Sequence, residues 1–306
     1  MKTTDICMLG GAGFVGGHLA SRLASAGHNV TILTRNRERH RRLLVLPTVR
    51  LRQGDVYDRR FLEATIAQSD VVINLVGILN EKGRNGRGFE NAHVALADAV
   101  INACIATGTR RLLHMSALRA DADRGPSHYL RTKGQAERLI MDKCGDNIAW
   151  TMFQPSVIYG PDDSFTLRFA QLLRLTPLIF PLARPDARFA PVFIGDVVDA
   201  FVTALNDPQS AGQRYQLCGP DALSLRRIVR FIATCLGLRR LIVGLPDGVS
   251  KLQARICEFL PGKPFSMDNY LSLTVPSVCD DNGFAHLGLT PRAFRNIVPT
   301  YLNSER

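Results

Sequence analysis

Two apolar textures alternate along the first half of the chain. Short, nearly continuous runs occur at Ile6, Met8 and Leu9, at Val30–Leu33, at Val71–Val76, at Arg111–Ser116 and at Ile148–Phe153. Runs of this length, apolar on both faces, predict strands of a parallel sheet covered on each side. Between them apolar residues recur three and four apart. Phe14, Val15, Leu19 and Leu23 predict a first helix ending near Gly27. Asp58–Gln68 predicts a helix capped by Asp58, with Phe61, Leu62 and Ile66 facing inward. Phe89–Ala106, ending at Gly108, and Tyr129–Lys143 predict two more, and Gln154-Pro155 is expected to stop the strand before it. Strands alternating with helices predict an α/β fold built on a doubly wound parallel sheet.

The pattern loosens after Pro155. Pro177, Pro181, Pro185 and Pro191 interrupt the chain, with helices predicted at Asp196–Leu205 and Leu225–Cys235 and short strands near Tyr215–Cys218 and Leu241–Val243. We read residues 1–155 as the core and residues 156–306 as a smaller C-terminal α/β region, suited to a substrate, that partly returns to the sheet. Asp196 is expected to cap its helix and order this region. The Gly- and charge-rich stretch Asn80–Gly88 is expected to be a mobile loop. Leu245–Pro264 spaces Val249, Leu252, Ile256 and Phe259 at helical intervals, with Lys251 and Arg255 between them. Such an amphipathic helix is expected to pack against the rest of the fold, with a membrane or partner surface as the alternative.

Composition narrows the class. The 306 residues are 46% hydrophobic with a mean hydropathy of +0.01, as in ordinary globular proteins, and no apolar run has the length of a membrane span. Met1-Lys2 leads almost at once into a strand, so no targeting segment is visible. The expectation is a cytoplasmic protein or a processed chain, with the inner-membrane surface as a peripheral address. The seven cysteines are scattered and form no Cys-x-x-Cys pair, which favours reduced core thiols and no metal site. A net charge of +11 favours anionic partners: nucleotides, an acidic protein or an anionic membrane surface. No zinc finger, RNA-binding aromatic signature or basic zipper is present, so nucleic acid is set aside.

Candidate chemistry starts at Leu9-Gly10-Gly11-Ala12-Gly13-Phe14-Val15-Gly16, directly after the first strand. Gly10 permits a tight turn, Gly13 lets backbone approach a pyrophosphate, and Gly16 lets helix and strand pack closely. Phe14 and Val15 open the helix, whose free N–H groups face an anion. A dinucleotide is therefore the expected ligand. Past the second strand the chain reads Leu33-Thr34-Arg35-Asn36-Arg37, with no acid until Glu38. A carboxylate would hold a free ribose hydroxyl, whereas a guanidinium chelates a 2′-phosphate, so NADP(H) is favoured over NAD(H), through Arg35 first and Arg37 second. Asp55 and Val56 follow the third strand; Asp55 either accepts from the adenine amino group or serves a turn. Val76-Gly77 and Pro155-Ser156, closing later strands, are expected to border the dinucleotide.

Tyr129 and Lys133 stand at i and i+4 on one helix face. A lysine cation and an oxidised nicotinamide would both favour phenolate, so this tyrosine could shuttle a proton while hydride moves. Lys133 could also bind the nicotinamide ribose. Ser116, at the end of the fifth strand, completes the candidate catalytic set. His93 and His114 read as packing or core residues.

Taken in order, Gly10–Gly16, Asp55-Val56, Ser116, Tyr129 with Lys133, Pro155-Ser156-Val157-Ile158-Tyr159-Gly160-Pro161 and Phe193-Ile194-Gly195-Asp196-Val197 resemble the short-chain dehydrogenase/reductases of the extended or atypical type, which are Rossmann proteins. Closer still, Leu113–Leu118, Ser127–Lys133 with Ala136-Glu137, and Leu287–Pro291 resemble the dehydrogenase-like accessory subunits of respiratory complex I and their bacterial relatives. That resemblance implies bound NADPH, held structurally in the mitochondrial members, and a link to ubiquinone metabolism. Two departures qualify it. Ser116 is followed by Ala117, where active extended members keep their hydroxyl, and only twelve residues separate Ser116 from Tyr129. Gln154 stands where sugar-nucleotide enzymes often carry arginine. Two functions therefore stay open: a nucleotide-binding accessory or assembly protein, or an active NADP-dependent reductase, dehydrogenase or epimerase using Tyr129 and Lys133.

Overall fold

A computed structural model describes residues 3–260 and 263–302. Strands β1 (Asp5–Leu9), β2 (Asn29–Thr34), β3 (Val49–Gln53), β4 (Val71–Asn74), β5 (Arg111–Met115) and β6 (Ala149–Pro155) alternate with helices α1 (Phe14–Ser25), α2 (Arg59–Ile66), α3 (Leu96–Thr107) and α4 (His128–Cys144). The C-terminal region adds α5 (Thr166–Leu175), β7 (Ile179–Leu182), α6 (Ile194–Asn206), β8 (Gln213–Leu217), α7 (Leu225–Cys235), β9 (Leu241–Gly244), α8 (Asp247–Cys257), α9 (Met267–Ser272) and α10 (Phe294–Leu302). Seven strands form one all-parallel sheet in the order β3-β2-β1-β4-β5-β6-β8. The order reverses between β1 and β4, where a doubly wound sheet opens a crevice at its carboxyl edge.

Strand alternation divides the core. Ile6, Met8, Ile32, Leu113 and Phe153 pack with Leu19 and Leu23 of α1 and Val197 and Phe201 of α6. Their neighbours Cys7, Leu9, Val72, Leu112 and Met152 pack with Leu62 of α2, Val100 and Cys104 of α3 and Ile140 of α4. A third cluster, including Tyr159, Phe180, Ile228, Ile232, Ile242 and Phe294, forms the core of the C-terminal lobe. That lobe returns to the sheet through α6, which covers one face, and β8, which pairs with β6.

Several expectations need correction. Gln154-Pro155 does not cut β6 short at Phe153: the strand runs on through both residues, which pair with Gln216 and Leu217, and ends at the proline. The long helix is interrupted, with a π-helical turn over Glu90–Ala95 preceding α3. The Asn80–Gly88 loop is held. Buried Glu81 accepts from the Gly86 and Gly88 N–H groups, while the Lys263 ammonium donates to the Glu81, Lys82 and Gly83 carbonyls at 2.8–3.2 Å. Asp196 does not cap α6; it is buried and accepts from the backbone and guanidinium of Arg292, both at 2.7 Å, which anchors the approach to α10. Cys218 and Cys279 are disulfide-bonded, their Cα atoms 6.0 Å apart although 61 residues separate them in sequence; spacing could not show that the fold brings them together. The other five cysteines are free. In α8 the buried residues are Ser250 and Ala254, and the apolar stripe expected to pack inward faces solvent. Among the described residues, no helix is long and apolar enough to cross a membrane.

Close backbone approach at the first turn gives a stability prediction. A Cβ at Gly16 would lie 2.4 Å from the Gly10 carbonyl oxygen, whereas one at Gly17 meets nothing within 4 Å. Gly16→Ala should lower the urea-unfolding free energy by about 1–3 kcal/mol. Gly17→Ala, in the same helix, should raise it by about 0.5–1 kcal/mol. Equal effects would contradict the packing described.

Candidate functional site

The predicted residues gather along the carboxyl edge of the sheet. Gly10 sits at a φ of +76°, and a Cβ there would be 2.9 Å from the Leu75 backbone, so the turn can close over the end of β4 only with glycine. Gly13 opens α1 without a side-chain cap, and the first turn, with Phe14 and Val15, contains no acidic residue. This N-terminus keeps donors and positive potential for an anion, so the turn fits a dinucleotide pyrophosphate.

Arg35 follows β2 and is exposed, as is Arg37. Among the described residues, no hydrogen bond or ion pair engages the Arg35 guanidinium. Glu38, the first acid after it, is turned to Arg41 at 2.5 Å. The Asp55 carboxylate, beyond β3, accepts the Tyr57 N–H at 3.0 Å and so serves a turn, with Val56 half-buried beside it. Beyond β4, Val76 donates its N–H to the Asn74 side chain. A Cβ on Gly77 would lie 3.1 Å from Lys133 Nζ, so glycine leaves room for that side chain.

Lys133 is 3% exposed, and its ammonium donates to the Met115 carbonyl at 3.0 Å and the Val76 carbonyl at 3.3 Å. Burial pushes its pKa down to about 8, opposed by the Glu137 carboxylate one helical turn on. Glu137 is buried too. It accepts both the Ser116 hydroxyl and the Gln154 amide, the latter at 2.8 and 2.9 Å, and lies 3.7 Å from Arg214. Burial raises the Glu137 pKa, while those two hydrogen bonds and the Arg214 and Lys133 charges pull it back. The Ser116 hydroxyl is thus committed to Glu137, between β5 and α4. Beyond β6, Pro155 is buried and the Ser156 hydroxyl donates to the Ser277 carbonyl at 2.8 Å.

Tyr129 differs from expectation. Its pKa is pushed up to about 12, by burial first and then by the Asp268 carboxylate, and the Lys133 cation does not offset this. Asp268 reaches over from α9 to accept the His128 and Tyr129 N–H groups at 2.6 and 3.2 Å, while Ser127 caps the Leu130 N–H. The helix end that carries Tyr129 is therefore fixed by the C-terminal lobe.

Sequence reasoning gave little weight to His93, which the π-helical turn places against Tyr129, edge to face, with ring centroids 5.6 Å apart. Its Nε2 accepts the Ile78 N–H at 3.2 Å, so Nδ1 carries the proton and donates to the Thr132 hydroxyl at 2.8 Å. The Thr132 hydroxyl in turn donates to the His128 carbonyl at 2.8 Å. Burial and the Lys133 charge hold His93 neutral, with a pKa near 2. Glu137 and Asp268 also escaped assignment. The i, i+4 spacing of Lys133 and Glu137 was the available signal for the first; Asp268 has none, being 139 residues from Tyr129.

Two buried histidines make stability pH-dependent. His93 falls to about 2 and His114 to about 3, both below the ordinary 6.5, so below pH 6.5 the unfolded chain binds protons that the folded chain does not. Stability should fall by about 1.4 kcal/mol per pH unit for each histidine as pH drops from 6.5 toward 5. Neither His114 ring nitrogen has a partner among the described residues. His114→Leu should remove its share of the slope at little cost near pH 7. His93→Leu should cost about 1–3 kcal/mol, because it strands the Ile78 N–H and breaks the Thr132 chain. Urea midpoints against pH measure both.

Comparison with known proteins agrees with this geometry. The family model described as NAD(P)H-binding matches residues 10–170. The chain is 27% identical to the mitochondrial NADH dehydrogenase [ubiquinone] 1 alpha subcomplex subunit 9 of Arabidopsis thaliana, over 96% of this chain and 76% of that protein. It is 25% identical to the mitochondrial NADH-ubiquinone oxidoreductase 40 kDa subunit of Neurospora crassa, over 98% of this chain and 79% of that one. Among solved structures, the UDP-glucuronic acid 4-epimerase of Bacillus cereus, in complex with UDP-glucuronic acid and NAD, superposes with a TM-score of 0.77 at 17% identity, covering 99% of this chain and 100% of that one. With the glycine turn, the parallel sheet and its carboxyl-edge crevice in place, this chain belongs to the NAD(P)H-binding family and has the fold of the short-chain dehydrogenase/reductase and epimerase superfamily.

Proposed function

We propose that this protein binds NADP(H) and retains it, acting as a nucleotide-holding accessory or assembly protein for a respiratory or quinone-linked enzyme. One observation carries this reading: the Ser116 hydroxyl is spent on Glu137, and Ala117 follows it, which leaves no hydroxyl of that pair to polarise a carbonyl. The high pKa of Tyr129 counts in the same direction, because a phenol at about 12 is a poor base. Arg35 and Arg37 favour a 2′-phosphate over a free hydroxyl. Relatives named as subunits of NADH-ubiquinone oxidoreductase supply the respiratory link. A retained dinucleotide would stabilise the fold in proportion to its affinity.

The second reading is an active NADP-dependent reductase, dehydrogenase or epimerase. In its favour, Tyr129 and Lys133 share a helix face, and His93 packs on the Tyr129 ring. Against it, the loop over residues 80–88 that would serve as a lid is tied down by Glu81 and Lys263.

The purified protein should carry nicotinamide fluorescence, exchange it slowly with added NADP, and show no turnover with quinones or carbonyl compounds. Fast exchange together with activity abolished by Tyr129→Phe would establish the enzyme instead. Arg35→Ala should weaken NADPH far more than NADH; an equal loss of both would refute the cofactor assignment. If Lys133 grips the nicotinamide ribose as a cation, NADPH affinity should decline as pH rises through about 8. Glu137→Gln should move that decline to lower pH, since it removes the charge that supports the ammonium. A pH-independent affinity in both proteins would separate Lys133 from binding.

A further inference from the structure

The C-terminal lobe carries an apolar surface that nothing in the dinucleotide site uses. On α8, Val249 is 46% exposed, Leu252 56% and Ile256 56%, and Phe259, just past the helix, is 75% exposed. The opposite face, through Ser250 and Ala254, is fully buried. The helix is amphipathic, but with its apolar side outward. At its start, the Leu245 N–H bonds the Leu182 carbonyl at 3.0 Å and Arg184 pairs with Asp247 at 2.9 Å, so it abuts the two-stranded β7–β9 ladder. That ladder repeats the inversion: Phe180 and Ile242 enter the core, while Ile179 is 55% and Leu241 64% exposed.

We propose that this face is a docking surface for an anionic lipid bilayer, with the α8 stripe lying in the interfacial layer. Charge selects this occupant. Arg255 is exposed on the same helix among the apolar positions, Lys251, also exposed, pairs with Asp247 at 3.1 Å, and Arg239 is exposed before β9. Residues 239–260 hold four basic side chains, Arg239, Arg240, Lys251 and Arg255, against two acidic ones, Asp247 and Glu258. Cations on long stems beside an apolar stripe suit the boundary between acyl chains and anionic headgroups, where the stem lies along the apolar layer and the charge reaches the phosphates. A coiled-coil partner would need several heptads of the stripe, and α8 has 11 residues. None of the residues named on this face was placed in the dinucleotide site, so this inference stands whether or not a bound nucleotide is turned over.

Flotation of the full chain with vesicles tests it. Vesicles containing phosphatidylglycerol should carry the protein up the gradient, with or without NADPH, and phosphatidylcholine vesicles should carry far less. The double variant L252E/I256E should lose about tenfold in partitioning, R255E should lose less, and raised salt should weaken but not abolish the wild-type binding. Both apolar positions are exposed, so NADPH binding by the double variant, expected unchanged, reports that it folds. As a reading without added charge, the emission of F259W should shift to the blue when anionic vesicles are added. Wild type that stays at the bottom of the gradient, a double variant that floats like wild type, or an unmoved F259W emission overturns the proposal. So does a stable dimer that dissociates in L252E/I256E without any vesicle binding, which would assign the face to a second copy of the chain.

Discussion

A buried ammonium sets the terms for the whole site. Lys133 lies inside the layer between the sheet and α4, and an uncompensated charge there would cost several kcal/mol. The structure compensates it from three directions: the carbonyl ends of β4 and β5, through Val76 and Met115, and the carboxylate of Glu137. Each compensation constrains a neighbour. Glycine at position 77 leaves the ammonium room, since a Cβ there would lie 3.1 Å from it. Glu137, itself buried, needs donors, and it takes them from Ser116 and Gln154. His93 must stay neutral, and the chain of hydrogen bonds through Thr132 to the helix backbone holds it in one tautomer. A single cation thus adds to what burial does to the protonation of its neighbours, and the carboxylate that supports it takes up the serine hydroxyl.

The same helix joins the two parts of the molecule. Its N-terminus carries Tyr129 and is capped from the C-terminal lobe by Asp268, while Ser272 of α9 donates to Ser127. The loop over residues 80–88 is pinned by Lys263, and Arg84 lies over the Phe259 ring at 4.2 Å. The Cys218–Cys279 bond fastens the segment that also supplies Ser277 to Ser156. The lobe that would border a substrate therefore also sets the position of the candidate acid–base group. A surface that docks through α8 would sit next to these tethers, because Phe259 and Lys263 flank its end.

Much of the architecture was legible in the residues because it follows from local periodicity. Continuous apolar runs marked five of the six strands of the core, β3 with its alternating Val49-Arg50-Leu51-Arg52-Gln53 having none; helical spacing marked the helices between them, and Asp58 acts as the cap its position announced, accepting from the Arg60 and Phe61 N–H groups. Gly10 and Gly16 announced a turn whose close approaches the structure displays. These signals are written within a few residues of one another, where backbone sterics and hydrogen-bonding rules act directly.

Tertiary structure decided what depends on distant partners. Ser116 could not be known to face Glu137 until β5 and α4 were set side by side, and the pKa of Tyr129 is raised by burial first and then by Asp268, far away in sequence. The amphipathic pattern of α8 was plain in the chain, but periodicity reports only that a helix has two faces. Which face the protein covers is fixed by what packs against it, and here the buried side is the one bearing Ser250 and Ala254. Sequence by itself determined a parallel-sheet fold with a dinucleotide turn, since those rest on local geometry. The roles of its polar groups were settled only by burial and long-range pairing.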